Sequence, residues 1–514
     1  MSLGRLDRSL DPGRLLTLLI PLTLAFRLWL AWVFPMTGDE AYFLEWGRAP
    51  DWGFYDHPPM IGWWLAALGA VGEAPAWLRL PSVVHPALLA LAVGWALPRI
   101  WPRIGPDRAL WAAVLVLLAP AAVWNVFVTT DTPLVYFSVL AGLAWLRATR
   151  EDGGAGPWYV LAGALLAGAV LSKYFAAFLG FAFLVHAVVL RRPGVWRGLA
   201  IAYGLVVPAL ALMAWWNAGH CWTNYLFNFV NRHEGAGPSW KTPLLYAATL
   251  AYLLTPPGFW LLLRRGDAEE GRGLAVLSFV PLLLFALLSL VKQIGLHWLL
   301  SFLPFALAWL ALRLPERTLE RLGAVFAGFA ALHLVLIAAA SALPLETWHR
   351  TRLYDGIVLT FEAPRLLDRV RAATGAEDFM LASDGYSNAS TLAYALGRHV
   401  PVFGPGSSHA RHDDILTDWR RLDGGNLLVL RKTEPDLADY RPYFRAVEVR
   451  EFAERGARFW MVLGRGFAYE AYRGGVLADI RRRWYAIPAW LPIRACYFCE
   501  RYFPMSPCRP SASS

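Results

Sequence analysis

The sequence predicts a polytopic α-helical membrane protein of about eleven spans, with a C-terminal α/β domain outside the lipid. Three observations carry this. Of 514 residues, 57% are hydrophobic and only 17% charged, against roughly 45–50% apolar and about 25% charged in a soluble domain. Apolar stretches of near-spanning length recur between residues 15 and 343. After about residue 345 charges become dense, and short strand-like runs alternate with amphipathic ones. The same composition excludes a disordered chain, a fibrous repeat and a small disulfide-stapled domain. The mean hydropathy of +0.41 is modest, so part of the chain lies outside lipid.

A lipid-spanning helix needs about 20 mostly apolar residues, because hydrocarbon offers its backbone no hydrogen bonds. Candidates lie at 15–34, 80–98, 109–128, 132–147, 158–172, 174–190, 198–216, 243–263, 273–291, 296–312 and 322–343. The stretch 60–71 is too short to span, and its Trp pair suits an interfacial helix. The first span ends in WVFPMTGDE without a small-x-small site, so it reads as an uncleaved anchor. Residues 1–344 then form the membrane domain. Strand-like runs at 378–383, 400–403, 426–431, 444–449 and 458–463 place an α/β domain at 345–470. The segment 471–514 is rich in Arg and aromatic residues and reads as an interfacial tail.

The net charge is +10. The positive residues sit in short loops between apolar segments, which is an orientation signal and not a nucleic-acid footprint. With a cytoplasmic N-terminus, the inner loops collect Arg99, Arg103, Arg108, Arg147, Arg150, Arg191, Arg192, Arg264 and Arg265, among others. An odd number of spans then puts the C-terminal domain in the periplasm of a bacterial inner-membrane protein. Four cysteines in 514 residues give no disulfide framework by count. Cys496, Cys499 and Cys508 stop one short of a four-ligand metal site, and a disulfide outside the membrane is open to them.

On this topology six polar clusters share the outer face. They are Thr37-Gly38-Asp39-Glu40-Ala41-Tyr42, Tyr55-Asp56-His57-Pro58-Pro59, Thr129-Thr130-Asp131-Thr132-Pro133, Leu171-Ser172-Lys173-Tyr174, Asn231-Arg232-His233-Glu234 and Lys292 through His297-Trp298. Carboxylates, histidines and lysines converging at one interface suit an anionic lipid headgroup. Each cluster also has a plainer reading. Asp39-Glu40 fits a solvated loop or helix cap, Asp131 a cap before Pro133, Lys173 a snorkelling lysine, and His297-Trp298 an aromatic belt. Arg27 lies mid-span and must find a partner.

The runs GDEAYFLEWGR and YDHPPMIGWW resemble the first outer loop of the GT-C membrane glycosyltransferases, the superfamily of protein O-mannosyltransferases and the bacterial lipid A aminoarabinose transferase. TTDTPLVYF and LSKYFAAFL resemble that branch's second acidic motif and its lysine motif, and WNAGHCWTNYLFNFVNRHE and KQIGLHWLLSFLPF are similar to it too. The resemblance covers roughly 15–310. It implies an inverting transfer of a sugar from a polyprenyl-phosphate donor to a lipid, glycan or protein acceptor at the outer membrane face. Asp39 would act on the acceptor hydroxyl, with Glu40 and Asp131 as the other acidic members of the catalytic set. Lys173 would contact the phosphate, helped by His57, Arg232 and Lys292, with Asp56, His233 and His297 completing the substrate site. The chain departs from the aminoarabinose enzyme where Asp56-His57-Pro58-Pro59 replaces a Glu-Lys-Pro run, and a neutral His57 is a weaker phosphate partner than lysine. Asp56 and His233 match positions that could bind a metal in a relative. Two ligands do not define a site, so no cofactor is assigned and a divalent metal stays open. Membrane lipid is the remaining expected partner.

Two other classes compete. A secondary transporter would place its charges near mid-bilayer between repeats, whereas these cluster at one interface and no repeat is visible. A non-catalytic scaffold with an outer binding domain would tolerate changes at Asp39, Asp131 and Lys173.

Overall fold

The computed structural model describes residues 10–150, 155–233, 237–264, 269–406, 410–505 and 508. The chain divides into two compact units. The first comprises Met1–Phe34, Glu73–Leu210 and Ala236–Ser341; the second comprises Pro35–Gly72, Ala211–Gly235 and Ala342–Ser514.

The first unit is helical. Among the described residues of the chain, five helices are long and apolar enough to cross a membrane: Pro12–Val33, Pro75–Ile100, Pro193–Gly219, Arg272–Ser289 and Glu316–Ala342. A sixth candidate, Lys241–Leu253 with Pro256–Leu263, is bent by 110°. Several helices expose large apolar side chains, such as Leu18, Leu22 and Trp32 on the first and Val335 and Leu336 on the last. That surface is costly in water and suited to hydrocarbon. The interior is a continuous packing of Leu, Ala, Val and Trp side chains, including Trp111, Trp145 and Phe305.

The expected apolar stretches are helical over most of their length, but three are not single helices; one of them, 296–312, is a 3-10 turn, Leu296–Leu299, followed by the helix Leu303–Arg313. The stretch 109–128 breaks at Ala119 into Pro106–Leu118 and Pro120–Trp124, because Pro120 cannot donate to the ladder. The stretch 243–263 breaks at Thr255, whose φ is +60° and which precedes Pro256. Arg27 finds its hydrogen bonds on backbone carbonyls, two just past the first break and two in the first turn of the helix Leu80–Ile100. It donates to the carbonyls of Val83 (2.9 Å), Asn125 (2.8 Å), Ser82 and Ala122. An interrupted helix leaves carbonyls without intrahelical donors, and a buried guanidinium with its five N–H groups satisfies them.

The second unit holds a four-stranded sheet in the order β1-β2-β4-β3: β1 Met380–Ser383, β2 Leu427–Arg431, β3 Phe444–Glu454 and β4 Ala457–Phe467. β1 and β2 are parallel and the other pairs antiparallel. The run 400–403 is not a strand; it contributes one bridge, Ser383 to Val402. Arg455 and Gly456 both have positive φ and close the tight β3–β4 hairpin, the geometry that matches strand twist. Both sheet faces are covered. Leu428 and Leu430 pack under the helices Tyr354–Phe361 and Ala363–Thr374, while Leu427 and Val429 face a cluster containing Phe403, Trp419, Tyr472, Tyr485 and Phe498. Those last three rings come from the Arg- and aromatic-rich C-terminal segment.

All four cysteines are paired, as Cys221–Cys496 and Cys499–Cys508, which corrects the expectation from their number. The first bridge closes a separation of 275 residues, which no sequence spacing announces. Removing it through a Cys221→Ser/Cys496→Ser pair is expected to cost about 2–5 kcal/mol. Thermal unfolding with and without reductant should show the wild type losing more stability on reduction than the variant, which keeps only Cys499–Cys508.

Candidate active site

In the second unit the helix Gly38–Arg48 opens with a capping box. The Thr37 hydroxyl accepts from the Glu40 N–H at 3.3 Å, and the Glu40 carboxylate accepts from the Thr37 N–H at 3.2 Å. This is the S/T-x-x-E pattern that satisfies two helix-end donors at once. Glu40 is buried by it and serves the cap. Asp39 points out and is exposed. Among the described residues its one side-chain hydrogen bond is from the Tyr386 hydroxyl to Oδ1, at 2.9 Å. Burial, with the nearby Asp39 charge, pushes the Tyr386 phenol well above its usual range, so it stays a donor.

Tyr386 starts the helix Tyr386–Leu396, which packs on Gly38–Arg48. A methyl at Gly38 would collide with the Ser387 side chain and lie 2.7 Å from its backbone oxygen. The absent side chain thus lets the two helix starts approach closely enough for the Tyr386–Asp39 bond.

One turn along, Tyr42 donates to Asp56 Oδ1 at 3.0 Å and accepts from the His412 N–H at 3.1 Å. Asp56 is buried. Burial pushes its carboxyl up to about 8; Asp39 and Asp413 add to the shift, and Tyr42 and Arg232 oppose it. His57 is buried between the rings of Trp46 and Phe227. Arg232 lies over the Phe227 ring, 5.6 Å from its centroid. The helix Thr223–Phe229 holds this loop: the Asn224 and Asn228 amides donate to the carbonyls of Phe54 (2.8 Å) and Asp56 (2.7 Å). The His233 side chain and Glu234 lie outside the described residues.

Asp56 yields a pH prediction. Its folded-state pKa exceeds the unfolded carboxylate value of about 4. The folded chain therefore binds the extra proton between those values, and stability is lost as pH rises through that window. Asp56→Asn keeps an oxygen for Tyr42 and removes the titration. The thermal midpoint of the variant should rise relative to wild type between about pH 5 and pH 9; a constant difference would show that Asp56 does not titrate there.

The sequence reading gave Tyr42 no role beyond its place in the first cluster, and it missed Tyr386 and the buried run Arg411-His412-Asp413-Asp414. Arg411 donates to both Asp414 oxygens, at 2.7 and 2.8 Å. Burial pushes His412 down to about 3, with His399 and His220 adding to it, and among the described residues neither ring nitrogen has a hydrogen-bond partner. Four successive titratable residues were the available signal. Among the described residues, Cys496, Cys499 and Cys508 alone form a group of three or more side chains with convergent metal-type ligand atoms, and they are in disulfides.

In the first unit Asp131 begins the helix Asp131–Arg150, and Lys173 follows the helix Gly156–Val170. The Lys173 ammonium donates to both Asp131 oxygens at 2.9 Å, with both side chains buried. Lys173 therefore does not snorkel, and Asp131 is more than a cap. His297 Nε2 lies 3.8 Å from Asp131 Oδ2 on a half-exposed ring. Lys292 is half-buried after the helix Arg272–Ser289. A buried, doubly hydrogen-bonded pair with an adjacent exposed imidazole can hold a fixed positive group towards an anion.

Residues 56–216 match the family model of dolichyl-phosphate-mannose-protein mannosyltransferases. The lipid A galacturonosyltransferase RgtD of Rhizobium johnstonii is 30% identical over 189 residues, 35% of this chain. The match spans only 38% of that relative's own length. ArnT from Cupriavidus metallidurans, solved with undecaprenyl phosphate, shares the fold with a TM-score of 0.60 at 16% identity, over 88% of this chain and 98% of ArnT. Its apo structure gives 0.58 over the same shares. Together these findings point to the GT-C glycosyltransferase superfamily that the motifs resemble.

Proposed function

We propose that this chain, of the GT-C superfamily by fold and by family resemblance, is an integral-membrane glycosyltransferase that moves a sugar from a polyprenyl-phosphate donor to a cell-envelope acceptor. The observation that carries the reading is the exposed Asp39 carboxylate, held at one oxygen by Tyr386 and left with the other for a hydroxyl proton. A carboxylate within hydrogen-bond reach of an acceptor hydroxyl is what direct displacement requires. Inversion in one step needs no enzyme nucleophile, and phosphate leaves readily. The remaining work is to hold geometry and stabilise phosphate charge. Lys173 is assigned to the phosphate, oriented by Asp131, with Lys292, His297, His57 and Arg232 as further polar contacts. Glu40 fixes the helix start that presents Asp39. Asp56 shapes the loop beneath, and His233 is assigned to the substrate site on the motif alone. The reaction is assigned to the periplasmic face of a bacterial inner membrane, on the charge bias of the loops.

The test uses purified protein in lipid nanodiscs, a panel of polyprenyl-phosphate sugars and envelope extracts as acceptors. Mass spectrometry follows free polyprenyl phosphate and glycosylated product. Release from one donor, dependent on Asp39, is expected. A folded wild type that releases nothing from any donor would favour the transporter or scaffold reading.

A further inference from the structure

The first unit contains a cavity of about 640 Å³ bounded by the helices Leu80–Ile100, Asp131–Arg150 and Gly156–Val170. Its wall is apolar and built partly of small residues, Ala92, Ala96 and Ala144, which leave room between the helices. One end differs. There Arg99 and Arg147 line it beside Trp95 and Trp158. Arg99 stacks on Trp95 at 4.3 Å and donates to the Trp95 carbonyl at 2.8 Å, and Arg147 lies 5.9 Å from the Trp158 centroid.

The charged end lies far from Asp131. Arg147 follows Asp131 on the same helix by sixteen residues, roughly 24 Å at 1.5 Å per residue. Lys173, the partner of Asp131, likewise follows the end of the helix Gly156–Val170 that is remote from Trp158. The cavity therefore opens its basic end at the membrane surface opposite the Asp131–Lys173 pair.

From this geometry we propose that the cavity binds an anionic glycerophospholipid of that opposite leaflet. An acyl chain fills the apolar part, the phosphodiester meets Arg99 and Arg147, and the two indoles sit at headgroup depth. Charge complementarity selects the headgroup, and basic pockets between helices retain anionic lipids in this way. Aromatic rings of this kind favour the membrane interface. The polyprenyl donor is not the occupant, because its phosphate is assigned to the other surface.

Detergent-purified, delipidated protein would be incubated with equimolar phosphatidylglycerol and phosphatidylcholine and analysed by native mass spectrometry. Wild type should retain phosphatidylglycerol preferentially. Arg99→Gln/Arg147→Gln should lose about thirtyfold in that preference, each charge near a membrane surface contributing about a factor of five. Ala92→Trp, which fills the cavity and keeps both arginines, should lose the bound lipid altogether and decides the matter if the double variant does not fold. Equal retention of the two lipids by wild type, or a preference unchanged in either folded variant, overturns the proposal. So does displacement of phosphatidylglycerol by equimolar undecaprenyl phosphate.

Discussion

Asp39→Asn is expected to fold normally and to lose sugar transfer by about 10²–10⁴-fold, the usual contribution of a positioned general base. The asparagine oxygen still accepts from Tyr386, so the helix start and its capping box persist. What disappears is an atom able to take the hydroxyl proton. Because the Asp39 side chain is exposed, the thermal midpoint should not move. The measurement is the rate of polyprenyl-phosphate release under saturating donor, with unfolding recorded on the same preparation. A variant that keeps more than about a tenth of the wild-type rate would move the chemistry to another carboxylate. Tyr386→Phe is the graded companion: losing one hydrogen bond to a charged acceptor should slow transfer about tenfold to a hundredfold.

Lys173→Met should destabilise the protein by about 3–5 kcal/mol, because it leaves a buried carboxylate without its ammonium. Asp131→Asn should cost a similar amount by the reverse argument. The double variant separates structure from function. Replacing both members of a buried pair by uncharged groups is often neutral for stability. The double variant should therefore regain most of the thermal midpoint while remaining inactive, since the phosphate has lost its cation. Recovery of both stability and transfer would make the pair structural only.

The spans were legible because lipid imposes a one-dimensional requirement. A run of apolar residues is the signal itself, so 174–190 and 80–98 fall on Ala176–Leu190 and Leu80–Ile100. Sheet strands were legible for a related reason, since runs such as NLLVLR are buried on both faces. The run 400–403 has the same composition and makes only one bridge, because pairing depends on a partner that the local pattern does not contain. The helix breaks were less legible. Proline marks where a ladder fails, but a break in lipid survives only if the freed carbonyls find donors elsewhere. Arg27, nearly a hundred residues from Ala122 and Asn125, supplies them.

By itself the sequence determined the membrane class, the presence of a C-terminal sheet region and the residue types available for chemistry, all of which depend on local composition and spacing. Only the tertiary structure decided which groups meet. It paired Lys173 with Asp131, set Tyr386 on Asp39 across 347 positions, joined Cys221 to Cys496 and buried His412 beside Tyr42. These contacts depend on close approach, as at Gly38 against Ser387, and on burial. Burial is what turns an ordinary aspartate such as Asp56 into one that holds its proton near neutral pH.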